Sequence, residues 1–218
     1  MTTFIVGAMP LDDEYVRTLI ESVLEKDRFI IACDKGYYYI NMAGYSPDLV
    51  VGDFDSADGD LYEQLMRDGK EVIKLNPIKD DTDIEAALQY AFECTKGDII
   101  ILGAIGGRLD HTLGNVSLLG MGLNRGRKIY LTDGLNRLQM IKAPEKITIK
   151  KASQHGKYIS VFPYMGPVSG LTMEGFKYPL SDATLEGFNT LTVSNEIVDE
   201  TATISIGEGY LIICETAD

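Results

Sequence analysis

The stretch FIIACDKGYYYINMAGYSPDLVVGDFDS, residues 29–56, decides the fold. Residues 29–33 and 49–51 are short apolar runs rich in Ile, Val and Leu, the composition of strands in a sheet covered on both faces. Acids follow each run closely: Asp34 after the first, Asp53 and Asp55 after the second. Tyr37, Tyr38 and Tyr39 read as helical. Consecutive helical residues point in different directions, so most of the three are expected to pack rather than form one aromatic platform.

Outward from this unit the pattern repeats. Further strands are predicted at 3–6, 71–75, 99–102 and 128–131, and helices at 13–25, 61–67, 83–94 and 110–123. Alternating strand and helix implies right-handed crossovers, hence an α/β domain with a doubly wound, mainly parallel sheet, assigned to residues 1–133. Residues 134–218 hold almost nothing helical. Strands at 137–141, 146–149, 158–162, 170–174, 190–193, 201–206 and 209–214 predict a small all-β sandwich domain. Gly207, Glu208 and Gly209 read as a tight hairpin there, and Phe162, Phe176, Tyr178 and Phe188 as core.

The chain has 218 residues, 45% of them hydrophobic, with 20 Lys and Arg against 33 Asp and Glu, a net charge of −13. That composition folds, and it argues against a nucleic-acid partner, which needs a basic stripe to displace counterions. No run approaches the ~20 apolar residues of a membrane helix, and the first apolar run has no basic flank, so a cytoplasmic protein without membrane contact is expected. Cys33, Cys94 and Cys214 are odd in number and widely spaced, which suggests buried thiols. The charge is uneven: 13 basic and 23 acidic residues lie in 1–133, against 7 and 10 in 134–218.

The acids of the first domain fall where chemistry is possible. Asp34, the pair Asp53 and Asp55, the set Asp80, Asp81 and Asp83, and Asp110 each follow a different predicted strand. In a parallel sheet those strand ends share one edge, where ligands bind. Taken singly each has a structural reading: Thr82 and Glu85 form a capping box, Asp83 sits in a first helical turn, and Ser56 caps a helix. Taken together, crowded carboxylates repel unless a cation neutralises them, and an all-oxygen set suits Mg²⁺. Gly106 and Gly107 before a helix start allow close backbone approach to phosphate, and Arg108 and Lys79 supply positive charge. No GxxxxGK[ST] sequence is present, so this is no P-loop protein.

ACDKGYYYINMAGYSPDLVVGDFDS, KDDTDIEAAL and GAIGGRLDHTLGNVSLL, with the later GFKYPL and SNE segments, resemble the thiamine pyrophosphokinase family over nearly the whole chain. The resemblance implies a homodimeric enzyme that uses ATP and Mg²⁺ to convert thiamine to thiamine diphosphate, with AMP as the other product. It implies that Asp53, Asp55 and Asp83 hold magnesium and the polyphosphate, that Asp34, Lys79, Thr82, Gly106, Gly107 and Arg108 line the nucleotide and phosphate site, and that Asp110 is an active-site carboxylate. Ser194 and Asn195 would lie near thiamine, in a pocket shared between subunits. Two departures stand out: Lys35 follows Asp34 where the family commonly has glycine, and the chain has no Trp to stack on thiamine. Asp110 and Asp55 are both candidates for a general base, and neither is singled out. His111 reads as a proton shuttle or as a capping residue, and His155 as a surface residue. Two rival readings use the same acids: a Mg²⁺-dependent phosphohydrolase of a nucleotide, and a non-enzymatic nucleotide or thiamine sensor.

Overall fold

The computed structural model describes residues 1–54, 60–76 and 81–218, with Asp60 described by its backbone only. Asp55, Ser56, Lys79 and Asp80 therefore lie outside the described residues. The chain divides into two compact units, Met1–Gly134 and Leu135–Asp218.

In the first unit, β1 (Thr2–Val6), β2 (Arg28–Cys33), β3 (Leu49–Gly52), β4 (Val72–Lys74), β5 (Ile99–Leu102) and β6 (Ile129–Thr132) are joined by α1 (Asp13–Glu21), α2 (Gly36–Met42), α3 (Asp60–Arg67), α4 (Asp83–Cys94) and α5 (Leu109–Leu123). Every described strand pair is parallel, in the spatial order β4-β3-β2-β1-β5-β6. Alternation along the strands gives the sheet two apolar faces. Phe4, Val6, Ile30, Ala32 and Val50 pack with Val16 and Ile20 of α1, Ile40 of α2 and Leu65 of α3 in one cluster. On the opposite face lie Ile5, Ile31 and Val51, and α4, which packs along β1, β2 and β3, brings Ile84, Ala87, Leu88 and Ala91. This is the doubly wound fold expected.

Strand order reverses beside β1, because β2 to β4 run off to one side and β5 and β6 to the other. The carboxyl ends of β1 and β5 therefore open into a crevice. α1 stops at Glu21 rather than 25: the Ser22 hydroxyl donates to the Leu19 carbonyl at 2.6 Å, and Leu24 is exposed rather than on the apolar face. Asp12 caps its start, accepting from the Tyr15 N–H at 2.7 Å. Of the tyrosines, Tyr37 is buried and Tyr38 exposed, as divergent directions on α2 require.

The second unit is an antiparallel sandwich. One sheet holds β7 (Asn136–Lys142), β13 (Glu208–Thr216), the first half of β9 (Tyr158–Glu174) and β11 (Asn195–Glu196). The other holds β8 (Glu145–Lys150), β12 (Thr201–Ile206), the second half of β9 and β10 (Leu180–Leu185). Ile159, Val161, Leu171, Met173, Ile204, Leu211 and Ile213 fill the space between.

Several details differ from expectation. The strands predicted at 158–162 and 170–174 are the two ends of β9, whose ladder with β13 shifts register where Met165 and Gly166 take positive φ. Gly207 is not a hairpin turn, because β12 and β13 do not pair. β12 passes from one sheet to β13 in the other alongside the bend of β9, and the Gly207 N–H donates to the Ser169 carbonyl. Residues 190–193 form no strand, and β10 supplies one that was not foreseen. Phe176 is core, but Phe162, Tyr178 and Phe188 are exposed. None of the three cysteines is in a disulfide; Cys33 is buried, Cys214 half-buried and Cys94 exposed, the last against expectation. His155 is half-buried rather than superficial, and its N–H donates to Glu215. No helix among the described residues is long and apolar enough to cross a membrane.

Candidate functional site

A cleft of about 480 Å³ opens at the carboxyl ends of β1 and β5. Asp34, Asp53, Thr82, Asp83, Gly106 and Arg108, each expected at the site from sequence, all line it. Asp81 and His111 line it too. Of the remaining expected residues, Asp55 and Lys79 lie outside the described residues, and Gly107 and Asp110 are not on the lining. A Cβ at Gly107 would meet the Met9 thioether, so that glycine makes room for a wall of the cleft. Ser194 and Asn195 belong to the second unit.

The local sequence explains how the acids are aimed. Asp34 directly follows β2 and takes a left-handed backbone at φ 44°, unusual for a residue with a side chain though tolerated by Asp. Its carboxyl lies over Gly52 at the end of β3, where a Cβ would collide with Asp34 Oδ1. Lys35 has ordinary helical φ at the start of α2, so its departure from glycine brings no backbone strain. Asp83 opens α4 behind Thr82, whose hydroxyl oxygen accepts the Glu85 N–H at 3.2 Å as a capping box predicts. Cys33 Sγ donates to the Asp83 carbonyl, which ties the start of α4 to the end of β2.

Three of these acids act on one another. Burial, a hydrogen bond with Asp83 and the charges of Asp83 and Asp53 push the Asp34 carboxyl up from 3.8 to about 7, against the pull of the Phe54 backbone N–H. Two carboxyls hydrogen-bond to each other only while one keeps a proton. Asp34 Oδ1 is buried and receives no N–H or O–H among the described residues. A buried oxygen left so, on a carboxyl that two further carboxylates act on, is the arrangement a cation relieves.

The described residues contain no ready-made group of three or more His, Cys, Asp or Glu ligands. Magnesium does not require one, since it keeps waters and is held by one or two carboxylates plus substrate phosphates. The chemistry of the donors present, all carboxylate oxygen, fits that ion.

At the mouth, Arg108 stands at the N-cap of α5 and donates to Asp110 through Nε at 3.2 Å and Nη2 at 2.6 Å. Arg108 holds the Asp110 carboxyl below its usual range, and both groups are exposed. Asp110 thus orients the guanidinium from outside the lining, while Arg108 itself borders the cleft.

Gly103 and Ala104 line the cleft as well, in the glycine-rich turn 103–107 that the sequence marks as functional, but sequence reasoning did not single out Gly7, Ala8, Met9, Ile84 or Asn115 as lining. Gly7 directly follows β1, and a Cβ there would meet the Gly103 carbonyl. A glycine directly after a central strand is the signal that marks it.

In the second unit, Ser194 is exposed at a positive φ of 59° and its N–H donates to Ser160 Oγ at 2.9 Å. Asn195 is buried, and its side-chain amide holds the Tyr178 backbone at both ends, accepting the N–H at 3.0 Å and donating to the carbonyl at 2.8 Å.

Comparison with known proteins adds to this geometry. A family model described as thiamin pyrophosphokinase, catalytic domain, matches residues 20–131, and one described as thiamin pyrophosphokinase, vitamin B1 binding domain, matches residues 145–211. The thiamine pyrophosphokinase of Bacillus subtilis (strain 168) is 36% identical over 188 residues, which is 86% of this chain and 87% of that one. A crystal structure of thiamine pyrophosphokinase from Bacillus subtilis superposes with a TM-score of 0.89 at 34% identity, covering 100% of both chains. That of thiamin pyrophosphokinase from Geobacillus thermodenitrificans gives 0.86 at 34% identity, covering 100% of this chain and 98% of the other.

Proposed function

Because this chain belongs to the thiamine pyrophosphokinase family, we propose that the β1/β5 cleft is where its Mg²⁺ and ATP polyphosphate bind, with Asp34, Asp53 and Asp83 on the metal side and Arg108 on the phosphate side. The reaction is an ATP-dependent pyrophosphoryl transfer to thiamine. A bond forms between the thiamine hydroxyl oxygen and the β-phosphorus, the bond from that phosphorus to the oxygen bridging it to the α-phosphorus breaks, and AMP leaves with that oxygen. The hydroxyl proton is released to water, and a loose transition state demands little help from a base.

The observation that carries the assignment is the Asp34 carboxyl, hydrogen-bonded to Asp83 and with its Oδ1 buried over Gly52 without a donor among the described residues, in a cleft bordered by a cationic helix start. Bound Mg²⁺ would neutralise phosphate charge and polarise the phosphorus under attack. The chain's own groups do the positioning. Asp34, Asp53 and Asp83 fix the charge-bearing edge, and Arg108, oriented by Asp110, offsets the charge that gathers on the bridging oxygen as AMP departs. Asp55 joins the magnesium carboxylates, and Lys79, Thr82, Gly106 and Gly107 complete the polyphosphate wall in this reading. Ser194 borders thiamine, and Asn195 holds the Tyr178 backbone beside it. A cytoplasmic homodimer with the thiamine pocket shared between subunits belongs to the same proposal.

Calorimetric titration of Mg²⁺ in the presence of a non-transferable ATP analogue tests the assignment. Asp53→Asn and Asp83→Asn are each expected to weaken metal-dependent nucleotide binding at least tenfold; binding as tight as wild type in both variants would overturn it.

A further inference from the structure

Asn115 is the most enclosed hydrogen-bonding amide or charged side chain of the cleft. It is 7% exposed, lies on α5, and is one of the lining residues. Arg108, His111 and Asn115 recur at the three- and four-residue spacing that puts side chains on one helix face, and all three border the cleft. At 1.5 Å per residue, Asn115 stands about 10 Å further along the helix axis than Arg108.

The orientation of its amide follows from one hydrogen bond. Nδ2 donates to the Ala104 carbonyl at 2.8 Å. The opposite assignment would set two acceptors against each other, so Oδ1 is fixed as the end that remains. No group among the described residues donates to that oxygen, and it is not sealed from solvent as Asp34 Oδ1 is. An anchored acceptor results, its direction set by the loop after β5.

We infer that Asn115 is a specificity-determining residue whose Oδ1 accepts a hydrogen bond from the nucleoside part of the triphosphate, either a ribose hydroxyl or an exocyclic base amine. The inference rests on the cleft being the nucleotide site. Polyphosphate does not fit this position, since its oxygens only accept at neutral pH, and the charge-matching Arg108 stands about two turns away, at the mouth. The distance from Arg108 suits the span from a bound phosphate to the nucleoside. A fixed acceptor rejects an analogue lacking the donor, because the acceptor then loses water without gaining a partner.

The test crosses enzyme variants with substrate analogues. Wild type and Asn115→Leu are assayed for kcat/KM with ATP, 2′-deoxy-ATP, 3′-deoxy-ATP and purine riboside triphosphate, which lacks the exocyclic amine. A thiamine analogue with its amine replaced by a carbonyl serves as control. Wild type is expected to lose about tenfold with one of the three nucleotides, and Asn115→Leu to show no further loss with that same nucleotide. A residue that merely supports the fold would lower all rates and leave the ratios unchanged. Should Asn115→Leu fail to fold, the wild-type ratios still decide, for equal use of all four nucleotides overturns the assignment. Discrimination confined to the thiamine analogue also overturns it. Arg108→Ala separates the two levels. If it raises the KM for ATP while Asn115→Leu keeps wild-type ratios, only the Asn115 assignment falls; if neither variant affects ATP use, the cleft reading falls with it.

Discussion

Replacing Asp34 with asparagine should stabilise the metal-free protein while damaging its activity. In the folded chain the Asp34 carboxyl titrates at about 7 rather than 3.8, chiefly because it is buried and next because it is hydrogen-bonded to Asp83. The native state therefore keeps a proton between about pH 4 and pH 7 that the unfolded chain has shed, and stability falls as pH rises through that window. Each tenfold change in proton affinity is worth ~1.4 kcal/mol, so a rise of this size is ~4 kcal/mol. The carboxyl is only half-buried, and solvent screening reduces the cost to ~2 kcal/mol. Asparagine cannot ionise, so Asp34→Asn should be about 2 kcal/mol more stable at pH 8 without Mg²⁺, with the gap halved near pH 5.5 and gone near pH 4. Urea unfolding of both proteins across that range, in the presence of a chelator, measures the difference. Saturating Mg²⁺ with nucleotide should stabilise wild type and not the variant. A gap independent of pH, or a variant less stable than wild type at pH 8, would refute the electrostatic reasoning.

Other perturbations probe separate parts of the fold. Gly52→Ala would drive a Cβ into Asp34 Oδ1, so the carboxyl must swing aside; Mg²⁺ affinity by calorimetry should fall 10–100-fold while the thermal midpoint moves little. Thr82→Ala removes the oxygen that accepts the Glu85 N–H and should cost ~1 kcal/mol, seen as a midpoint lowered by a few degrees. Glu215, at 1% exposure, accepts two Arg137 hydrogen bonds on Oε1 and the His155 N–H on Oε2. Arg137→Met strands that charge and should cost ~3 kcal/mol in chemical denaturation, most of it recovered when Glu215→Leu is added.

The first unit was legible because its strands are uninterrupted apolar runs. β5, predicted at 99–102, is observed as Ile99–Leu102, and α4, predicted at 83–94, as Asp83–Cys94. The acids at strand ends could be placed on one edge because parallel topology brings those ends together whatever the side chains are. The second unit was harder, because turn chemistry does not say which strands pair. Gly207–Glu208–Gly209 looks like a hairpin loop, yet the bend of β9 carries the neighbouring strand from one sheet to the other. β10 was invisible since LSDATL lacks the apolar alternation of a half-buried strand. Phe188 shows that aromatic character does not decide burial on a loop. At the site, Asp34 was legible as an acid, but its proton affinity was not, for that depends on Gly52 leaving room beneath it and on Asp83 arriving from another helix. Asn115, an amide in the middle of a helix, carries no motif of its own that would mark it.

Product identification decides whether this cleft carries out pyrophosphoryl transfer to thiamine. Wild type and Asp83→Asn are incubated with ATP, Mg²⁺ and thiamine, and products are followed by mass spectrometry. Wild type should yield thiamine diphosphate and AMP in equal amounts, and Asp83→Asn at least a hundredfold less. ADP with thiamine monophosphate, inorganic phosphate released without thiamine, or undiminished turnover in Asp83→Asn would contradict it.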